Sequence, residues 1–210
     1  MTNWFNTLLL IISAYLVGSI PMGYIVGKVF YHVDIRKSGS GNIGATNALR
    51  LFGTRTGIII LILDMLKGLG VVLASKALLP AQSPFIVLAA LVVILGHIFT
   101  IFLGFKGGKG VATAAGAFLG LAPAELGLGL VIFIAVVAIF RYVSLGSCVA
   151  AFSFGIMVAL RQIFSDNPDW VKLGFCVLVV SLIILKHRDN IKRLMQGTEH
   201  KLSFTKKGSL

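Results

Sequence analysis

The sequence predicts an all-α, polytopic integral membrane protein with seven transmembrane helices, an N-terminus outside and a cytoplasmic C-terminus. The first observation behind this prediction is the composition: of 210 residues, 57% are hydrophobic and 12% are charged. A soluble domain carries about 25% charged residues, so the soluble, disordered and fibrous classes are excluded. The length fits one membrane-embedded domain over residues 1–210.

The second observation is a set of long apolar runs. A helix needs about 20 apolar residues to cross the hydrocarbon core of a bilayer. Pro21 lies inside the first run and predicts a kink there, while the fourth run is short and rich in Gly and Ala. The seven predicted spans are 4–27, 57–75, 83–103, 111–123, 125–141, 143–161 and 170–187.

The third observation is the placement of positive charge, since cytoplasmic loops of membrane proteins are enriched in Lys and Arg. With the N-terminus outside, fifteen basic residues fall on the cytoplasmic side, including Lys206 and Lys207 in the tail. Three fall on the opposite side, and Lys67 lies within the membrane. This asymmetry supports seven spans with the C-terminus inside.

The net charge of +12 indicates the kind of partner. In a soluble protein it would suggest nucleic acid, but in a membrane protein it favours anionic lipid and anionic substrates. We therefore expect membrane lipid as a partner and no nucleic acid, and the sequence does not identify a protein partner. Within the spans, Gly23 with Gly27 and Gly116 with Gly120 have the four-residue spacing that lets helices pack closely.

The longest internal polar stretch runs from Tyr31 to Thr56. Its segment GSGNIG, residues 39–44, matches a dinucleotide fingerprint, but that fold needs a preceding strand and a βαβ unit. Closely spaced glycines can still turn backbone N–H groups inward to bind an anion. The alternative is an ordinary basic cytoplasmic loop. The polar candidates for phosphate binding are Ser38, Ser40, Gly41, Asn42, Thr46 and Asn47, with charge from Arg36, Lys37 and Arg50.

The second candidate segment is GHIFTIFLGFKGGKGVAT, residues 96–113. Gly107, Gly108 and Gly110 surround Lys109, which predicts a backbone cradle with a point charge for phosphate. The segment is not a Walker A loop, because Gly110 stands where Ser or Thr should follow the lysine. His97 lies near the end of an apolar span and is either structural or part of this phosphate site.

The third candidate segment is KHRDNIKRLMQGTE, residues 186–199. On a helix, His187 and Asn190 are three residues apart and share a face. The alternative is an amphipathic tail that binds anionic lipid.

Asp64 and Lys67 form a possible ion pair inside the second span. A charge at the bilayer centre costs roughly 3 kcal/mol or more, so these groups are either a structural pair or functional. Asp64 and Glu125 are the only carboxylates within the predicted spans. Because no His, Cys, Asp or Glu cluster has metal-ligand spacing, we expect neither a metal site nor a cofactor.

Taken together, the candidate segments are rich in phosphate-binding groups, and the sequence shows no convincing Ser/His/Asp set. A substrate with a phosphate and an apolar part in lipid fits this combination. The segments GSIPMGYIVGKVF, DIRKSGSGNIGATNALR, GHIFTIFLGFKGGKGVAT and KHRDNIKRLMQGTEHK, in this order, closely resemble the bacterial acyl-phosphate:glycerol-3-phosphate acyltransferases, the PlsY family. The resemblance covers nearly the whole chain.

The resemblance implies an enzyme of the bacterial inner membrane with seven helices, an active site on the cytoplasmic face and no cofactor. Its substrates would be acyl phosphate and glycerol 3-phosphate, and its products 1-acyl-glycerol 3-phosphate and phosphate, the first acylation in phospholipid synthesis. Two other classes, a transporter of an organic phosphate and a structural protein that binds anionic lipid, would also use basic loops. The absence of a visible internal repeat counts against the transporter.

The resemblance also assigns residues. Ser40, Arg50, Lys109, His187 and Asn190 align with the active-site positions of the family, and Gly41, Asn42, Thr46 and Asn47 lie in its first motif. Thr100 departs from the family pattern without touching an expected catalytic group. The base that accepts the hydroxyl proton stays open between His187, assisted by Asn190, and a phosphate oxygen of the donor.

Overall fold

The computed structural model describes residues 4–202, which form ten α-helices and two short 3-10 turns without a β-strand. The all-α prediction is confirmed for this part of the chain, and Lys206 and Lys207 lie outside it. The turns are Ile35–Lys37 and Ile101–Leu103. The helices are α1 (Trp4–Ser19), α2 (Met22–Tyr31), α3 (Ala45–Phe52), α4 (Thr54–Leu78), α5 (Pro84–Ile98), α6 (Val111–Leu121), α7 (Pro123–Phe140), α8 (Val143–Ile163), α9 (Trp170–Lys186) and α10 (Arg188–Met195).

Residues 4–202 contain four to six candidate membrane spans. Four segments are long and apolar enough on their own: α4, α7, α8 and Pro84–Leu103, which contains α5. The bent pairs α1–α2 and α9–α10 also qualify if each pair counts as one span. Helix α6 has 11 residues and a length of about 16 Å, against a hydrocarbon core of about 30 Å. The prediction of seven spans, and that of the orientation of the termini, therefore remain predictions.

The predicted kink at Pro21 is confirmed, since α1 and α2 meet at an angle of 43°. Proline has no N–H and interrupts the helical hydrogen-bond ladder. Lys67 Nζ donates to the freed carbonyl oxygens of Gly18 (3.2 Å) and Ile20 (2.9 Å), and the Thr100 hydroxyl donates to that of Ser19. In an apolar environment such carbonyls need donors from the protein itself, and α4 and the segment just after α5 supply them.

The chain divides into two compact units. The described part of the first unit, residues 4–120, contains α1 to α6, with α1 and α4 both packed on α5. The second unit, residues 121–202, contains α7 to α10, with α8 packed on both α7 and α9. One domain over residues 1–210 remains a prediction.

Glycines set the close helix contacts of the first unit. A Cβ at Gly18 of α1 would collide with the Val93 carbonyl oxygen of α5. A Cβ at Gly116 of α6 would collide with the Met65 carbonyl oxygen of α4, so the close packing predicted for Gly116 is confirmed. Each contact brings one helix directly onto the backbone of the next, which a larger residue would prevent.

Gly23 and Gly27 also permit close approach, Gly23 to a polar loop and Gly27 both to that loop and to the Phe52 ring of α3. A Cβ at Gly23 would collide with the Ile43 carbonyl oxygen, and one at Gly27 would lie 3.0 Å from that of Val33. The loop that holds the first candidate segment is therefore pressed against α2.

Two glycines of α4 provide a matched test of this packing. A Cβ at Gly68 would collide with the Thr113 carbonyl oxygen, whereas one at Gly70 would meet no atom within 4 Å. We expect Gly68→Ala to lower the free energy of unfolding by about 1–3 kcal/mol through overpacking. Gly70→Ala should be neutral or up to about 1 kcal/mol more stable, because alanine favours a helix. Thermal unfolding of the purified protein in detergent measures both, and equal stability of the two variants would contradict the packing.

Candidate active site

Arg36 is held by Asp34 at the start of the first polar loop. The Asp34 carboxylate accepts hydrogen bonds from Arg36 N (3.1 Å), Nε (3.0 Å) and Nη2 (2.8 Å), and the guanidinium lies over the Tyr24 ring. These hydrogen bonds lower the pKa of Asp34 from 3.8 to about 2. The charge of Arg36 is balanced locally, which differs from the expectation that it supplies charge to a phosphate.

Asn47 organises the same loop from its buried side. Its Oδ1 accepts a hydrogen bond from Ser40 N at 2.9 Å, and its Nδ2 lies 2.9–3.1 Å from the carbonyl oxygens of Ile35, Ser38 and Asn42. The amide therefore shares its two hydrogens among three carbonyls. Because the loop backbone uses every polar atom of this side chain, Asn47 shapes the site and is not placed as the phosphate donor that the sequence suggested.

The tip of the loop exposes Ser40 and Gly41. Gly41 has a φ of 70°, a left-handed conformation that favours glycine, and its N–H donates to the Ser38 carbonyl at 3.1 Å. Asn42 Oδ1 accepts a hydrogen bond from Gly44 N at 2.8 Å. These N–H groups are used within the loop, so its chemistry rests on side chains such as Ser40 more than on the expected nest of amides.

Helix α3 follows the loop and carries Thr46 and Arg50. The two residues are one turn apart and share a face of the helix, and both are half-buried. The first unit therefore combines a shaped hydroxyl-bearing loop with a basic residue on the next helix.

The glycine loop before α6 is fastened to the end of α5. Gly107 N donates to the Ile98 carbonyl (3.1 Å), and Gly108 N donates to the His97 carbonyl (3.0 Å). A Cβ at Gly107 would collide with the His97 carbonyl oxygen, so glycine is needed for this close approach. Both N–H groups thus hold the loop in place, which differs from the expected phosphate cradle.

Lys109 follows the fastened pair and is half-buried. The next residue, Gly110, has a φ of 84° and leads directly into α6. Lys109 therefore has a fixed backbone on both sides, although its own side chain has a flexible four-carbon stem.

His97 lies beneath this loop, buried at 5% exposure. Its Nδ1 is 3.3 Å from Lys67 Nζ and 3.6 Å from Asp64 Oδ1. A Cβ at Gly108 would collide with its Nε2. These surroundings favour a structural position over direct phosphate binding. Lys67 Nζ also lies 2.8 Å from Asp64 Oδ1, which confirms the predicted pairing of these residues.

His187 stands in the second unit, where α9 meets α10 at an angle of 53°. It is 3% exposed, and its Nδ1 lies 2.8 Å from the Ile183 carbonyl oxygen. A carbonyl oxygen only accepts, so Nδ1 carries the hydrogen in this contact. In the neutral ring Nε2 is then the basic nitrogen, which is the form a proton acceptor needs.

Asn190 is anchored by Glu199, nine residues further along the chain. Asn190 Nδ2 donates to Glu199 Oε1 at 2.7 Å, Ser144 Oγ donates to the same oxygen at 2.8 Å, and Arg193 Nε donates to Oε2 at 2.7 Å. Burial of Glu199 raises its pKa, but these three donors outweigh burial and hold the pKa below its usual value. A carboxylate only accepts, so the contact also fixes which end of the Asn190 amide faces it.

Sequence reasoning missed the roles of Ser144 and Glu199. Glu199 had a signal, since it is an isolated carboxylate in a strongly basic segment. Nothing in the sequence around Ser144 pointed to its contact with Glu199.

The predicted active-site residues are distributed over both units: Ser40, Arg50 and Lys109 lie in the first, and His187 and Asn190 lie in the second. Within residues 4–202 no group of three His, Cys, Asp or Glu side chains could hold a metal ion.

These features define a class of protein: an integral membrane protein built of apolar helices, with basic, glycine- and hydroxyl-rich loops suited to an anionic substrate. The sequence model of the family described as glycerol-3-phosphate acyltransferase matches residues 8–197. The chain therefore belongs to the glycerol-3-phosphate acyltransferase family.

Proteins of this family from two bacteria are similar in sequence over nearly the full length of this chain. The chain is 49% identical to glycerol-3-phosphate acyltransferase 2 of Moorella thermoacetica, covering 93% of this chain and 97% of the relative. It is 46% identical to the glycerol-3-phosphate acyltransferase of Geobacter sulfurreducens, with the same coverage.

Two crystal structures of PlsY, described as an integral membrane glycerol 3-phosphate acyltransferase, are also similar. The glycerol 3-phosphate form has a TM-score of 0.87 at 36% identity and covers 94% of this chain and 96% of that one. The lysophosphatidic acid form has a TM-score of 0.85 at 35% identity, covering 96% of this chain and 97% of that one.

The Glu199 anchor predicts a pH dependence of stability. Because its folded-state pKa lies below the ordinary value of 4.5, it stabilises the fold above about pH 4.5, and this stabilisation is lost as pH falls through the lowered pKa. We expect Glu199→Gln to be less stable than wild type at neutral pH, with the difference shrinking as the pH falls below the ordinary pKa of 4.5 and through the lowered pKa of Glu199. Asp189→Asn is the control, since Asp189 is 77% exposed. Thermal unfolding at several pH values measures this, and a difference independent of pH would contradict it.

Proposed function

We propose that the protein transfers a fatty acyl group from acyl phosphate to the 1-hydroxyl of glycerol 3-phosphate, releasing 1-acyl-glycerol 3-phosphate and inorganic phosphate. The observation that carries this proposal is the similarity along almost the whole chain to a PlsY structure in its glycerol 3-phosphate form. The lysophosphatidic acid form of PlsY supports the product. The acyl phosphate donor is supported by the sequence resemblance and by the chemistry of the loops.

The proposed reaction needs little activation. An acyl phosphate is a mixed anhydride, so the hydroxyl oxygen attacks the carbonyl carbon, the bond from that carbon to the phosphate oxygen breaks, and phosphate leaves with the electron pair. The protein must chiefly bring two anions together and orient the hydroxyl. We propose that it does so without metal, without another cofactor and without coenzyme A.

Arg50 and Lys109 are the proposed cations for the two phosphates. Their charges offset the repulsion between donor and acceptor, and charge-assisted hydrogen bonds to phosphate are the strong ones. The Ser40 hydroxyl would add a hydrogen bond, and we propose neighbouring contacts from Ser38, Gly41, Asn42, Thr46 and Gly110. Asn47, Gly107, Gly108 and His97 would act indirectly, by shaping the two loops.

His187 and Asn190 are the proposed groups that act on the hydroxyl. The contact of His187 Nδ1 with the Ile183 carbonyl places a hydrogen on Nδ1, so in the neutral ring Nε2 is the nitrogen that would accept the proton. Asn190, held by Glu199, would orient the hydroxyl. A phosphate oxygen of the donor is the other candidate base, and a pH–rate profile that His187→Gln leaves unchanged in shape would select it.

We further propose an inner-membrane location with the active site on the cytoplasmic face. Glycerol 3-phosphate is a dianion that does not cross lipid, and the positive charge of the loops favours the cytoplasmic side. The acyl chain of the donor would come from the bilayer.

One assay tests the proposed function. Purified protein is incubated with acyl phosphate and glycerol 3-phosphate in the presence of EDTA and without coenzyme A. We expect phosphate release together with lysophosphatidate formation in equal amounts. Phosphate release without acylated product, or activity that needs an added metal, would contradict the proposal.

The cationic residues give the first prediction from this assay. Lys109→Ala and Arg50→Ala should each lose at least about tenfold in kcat/KM, because an ionic hydrogen bond contributes roughly 1.5–3 kcal/mol. Arg50→Lys should also be impaired if the contact is bidentate. Lys106→Ala and Arg55→Ala are controls of equal charge change at exposed neighbouring positions, and they should remain active. Near-normal activity of a folded Lys109→Ala or Arg50→Ala protein would remove that residue from the site.

Labelling of single cysteines tests the proposed orientation. After replacement of Cys148 and Cys176, Ser38→Cys and Lys207→Cys should react with an impermeant reagent only from the cytoplasmic side. Ser83→Cys should react only from the opposite side. Reaction of Ser38→Cys and Ser83→Cys from the same side would overturn the topology and the proposed location of the site.

A further inference from the structure

Three ionisable side chains lie buried together in the first unit, and none of them is proposed to contact a substrate. Asp64 and Lys67 on α4 and His97 on α5 are each exposed by 5% or less. Placing an ionisable group within the membrane has a high free-energy cost, so the presence of these three groups indicates a functional or structural role. Their contacts show which parts of the molecule they join.

Lys67 links this cluster to the bend of the first span. Its Nζ donates to the carbonyl oxygens of Gly18 and Ile20 at 3.2 and 2.9 Å. The same nitrogen is 2.8 Å from Asp64 Oδ1 and 3.3 Å from His97 Nδ1. An ammonium group with these neighbours holds the imidazole by one nitrogen and fixes its ring against α4.

The other side of His97 faces the glycine loop. Its backbone carbonyl accepts the hydrogen bond from Gly108 N at 3.0 Å. Its Nε2 occupies the space that a Cβ at Gly108 would need. Gly108 directly precedes Lys109, so the imidazole packs directly against the backbone segment that carries this lysine.

We propose that Asp64, Lys67 and His97 form a positioning network that sets the location of Lys109 through the contact of the His97 ring with Gly108. The inference rests on the proposed function, since it assigns Lys109 to a substrate phosphate. A lysine is a point charge on a flexible stem, so the backbone that carries it must be placed accurately. Small displacements of a binding group reduce affinity and rate well before they unfold a protein.

The two ring nitrogens allow the two contacts to be separated. In His97→Asn the amide places polar atoms near the position of Nδ1, where they can meet Lys67, but nothing replaces Nε2 beneath Gly108. We expect an unfolding temperature close to that of wild type and at least a fivefold increase in KM for glycerol 3-phosphate, with a smaller change in kcat. Loss of a binding interaction that is equal in ground and transition states has this signature.

A double-mutant cycle tests the contact itself. Gly108→Ala in the wild-type background places a Cβ against Nε2 and should strongly lower kcat/KM. In the His97→Asn background Nε2 is absent, so the same substitution should cost at least fivefold less. Gly107→Ala is the matched control, because its Cβ collides with the backbone carbonyl oxygens of His97 and Ile98. Its cost should be the same in both backgrounds.

The charged half of the network is tested by the double variant Asp64→Asn/Lys67→Met. Removing both charges together avoids leaving one of them buried alone. If the protein folds, KM for glycerol 3-phosphate should rise as in His97→Asn, because the ring has lost its hold. If it does not fold, the His97 and Gly108 variants still decide the question.

Two results would overturn the proposal: a wild-type KM in His97→Asn, or an equal cost of Gly108→Ala in both backgrounds. A purely structural role of His97 would lower the unfolding temperature and leave KM of the folded protein unchanged. An inactive wild-type protein would contradict the proposed function instead. In that case unfolding temperatures of the same cycle measure the contact of His97 with Gly108 without acyl transfer.

Discussion

A backbone carbonyl that loses its helical donor inside a bilayer must receive another donor from the protein, because no water is there to replace it. The bend at Pro21 creates this requirement for the carbonyls of Gly18, Ser19 and Ile20. Lys67 and Thr100 supply donors, and Met22 N also donates to the Ile20 carbonyl at 3.1 Å. The need for a donor explains a lysine in the middle of an apolar helix. Asp64 in turn balances the charge of that lysine, so one interruption of α1–α2 determines the polar groups of its neighbours.

The same constraint explains how the polar loops are built. The backbone N–H groups of these loops donate hydrogen bonds mainly to carbonyl oxygens of the protein. Gly107 and Gly108 donate to carbonyls at the end of α5, and Gly41 donates to a carbonyl of its own loop. A phosphate loop of the nucleotide-binding type does the reverse and aims its amides at the ligand. Here the glycines bring backbone into close contact, and the fixed loops then present side chains. In the proposed site, recognition of the anion is therefore assigned to the side chains of Ser40, Arg50 and Lys109.

The sequence predicted much of this arrangement, for identifiable reasons. Composition and apolar runs are sums over many residues, so the helical membrane class followed directly, and Pro21 marked its bend because proline acts locally. The close packing at Gly116 was predicted because small residues four apart lie on the same face of a helix and let another helix approach it. The contacts of Asn47, His97 and Glu199 were not foreseen, since each depends on segments brought together only by folding. Helix α6 shows the same limit: the span predicted from its apolar composition remains a prediction, because the helix has 11 residues between Gly110 and Pro123.

The tether from Glu199 to Ser144, Asn190 and Arg193 also has a consequence for biogenesis. The ribosome makes the chain from its N-terminus, so α7, α8 and α9 are synthesised before Glu199 is. Until that residue leaves the ribosome, Asn190 lacks the carboxylate that fixes its amide and Ser144 lacks its acceptor. The order of synthesis therefore delays the completion of the second unit until α7, α8 and α9 have been made, and until then Asn190 lacks the side-chain contact that orients its amide.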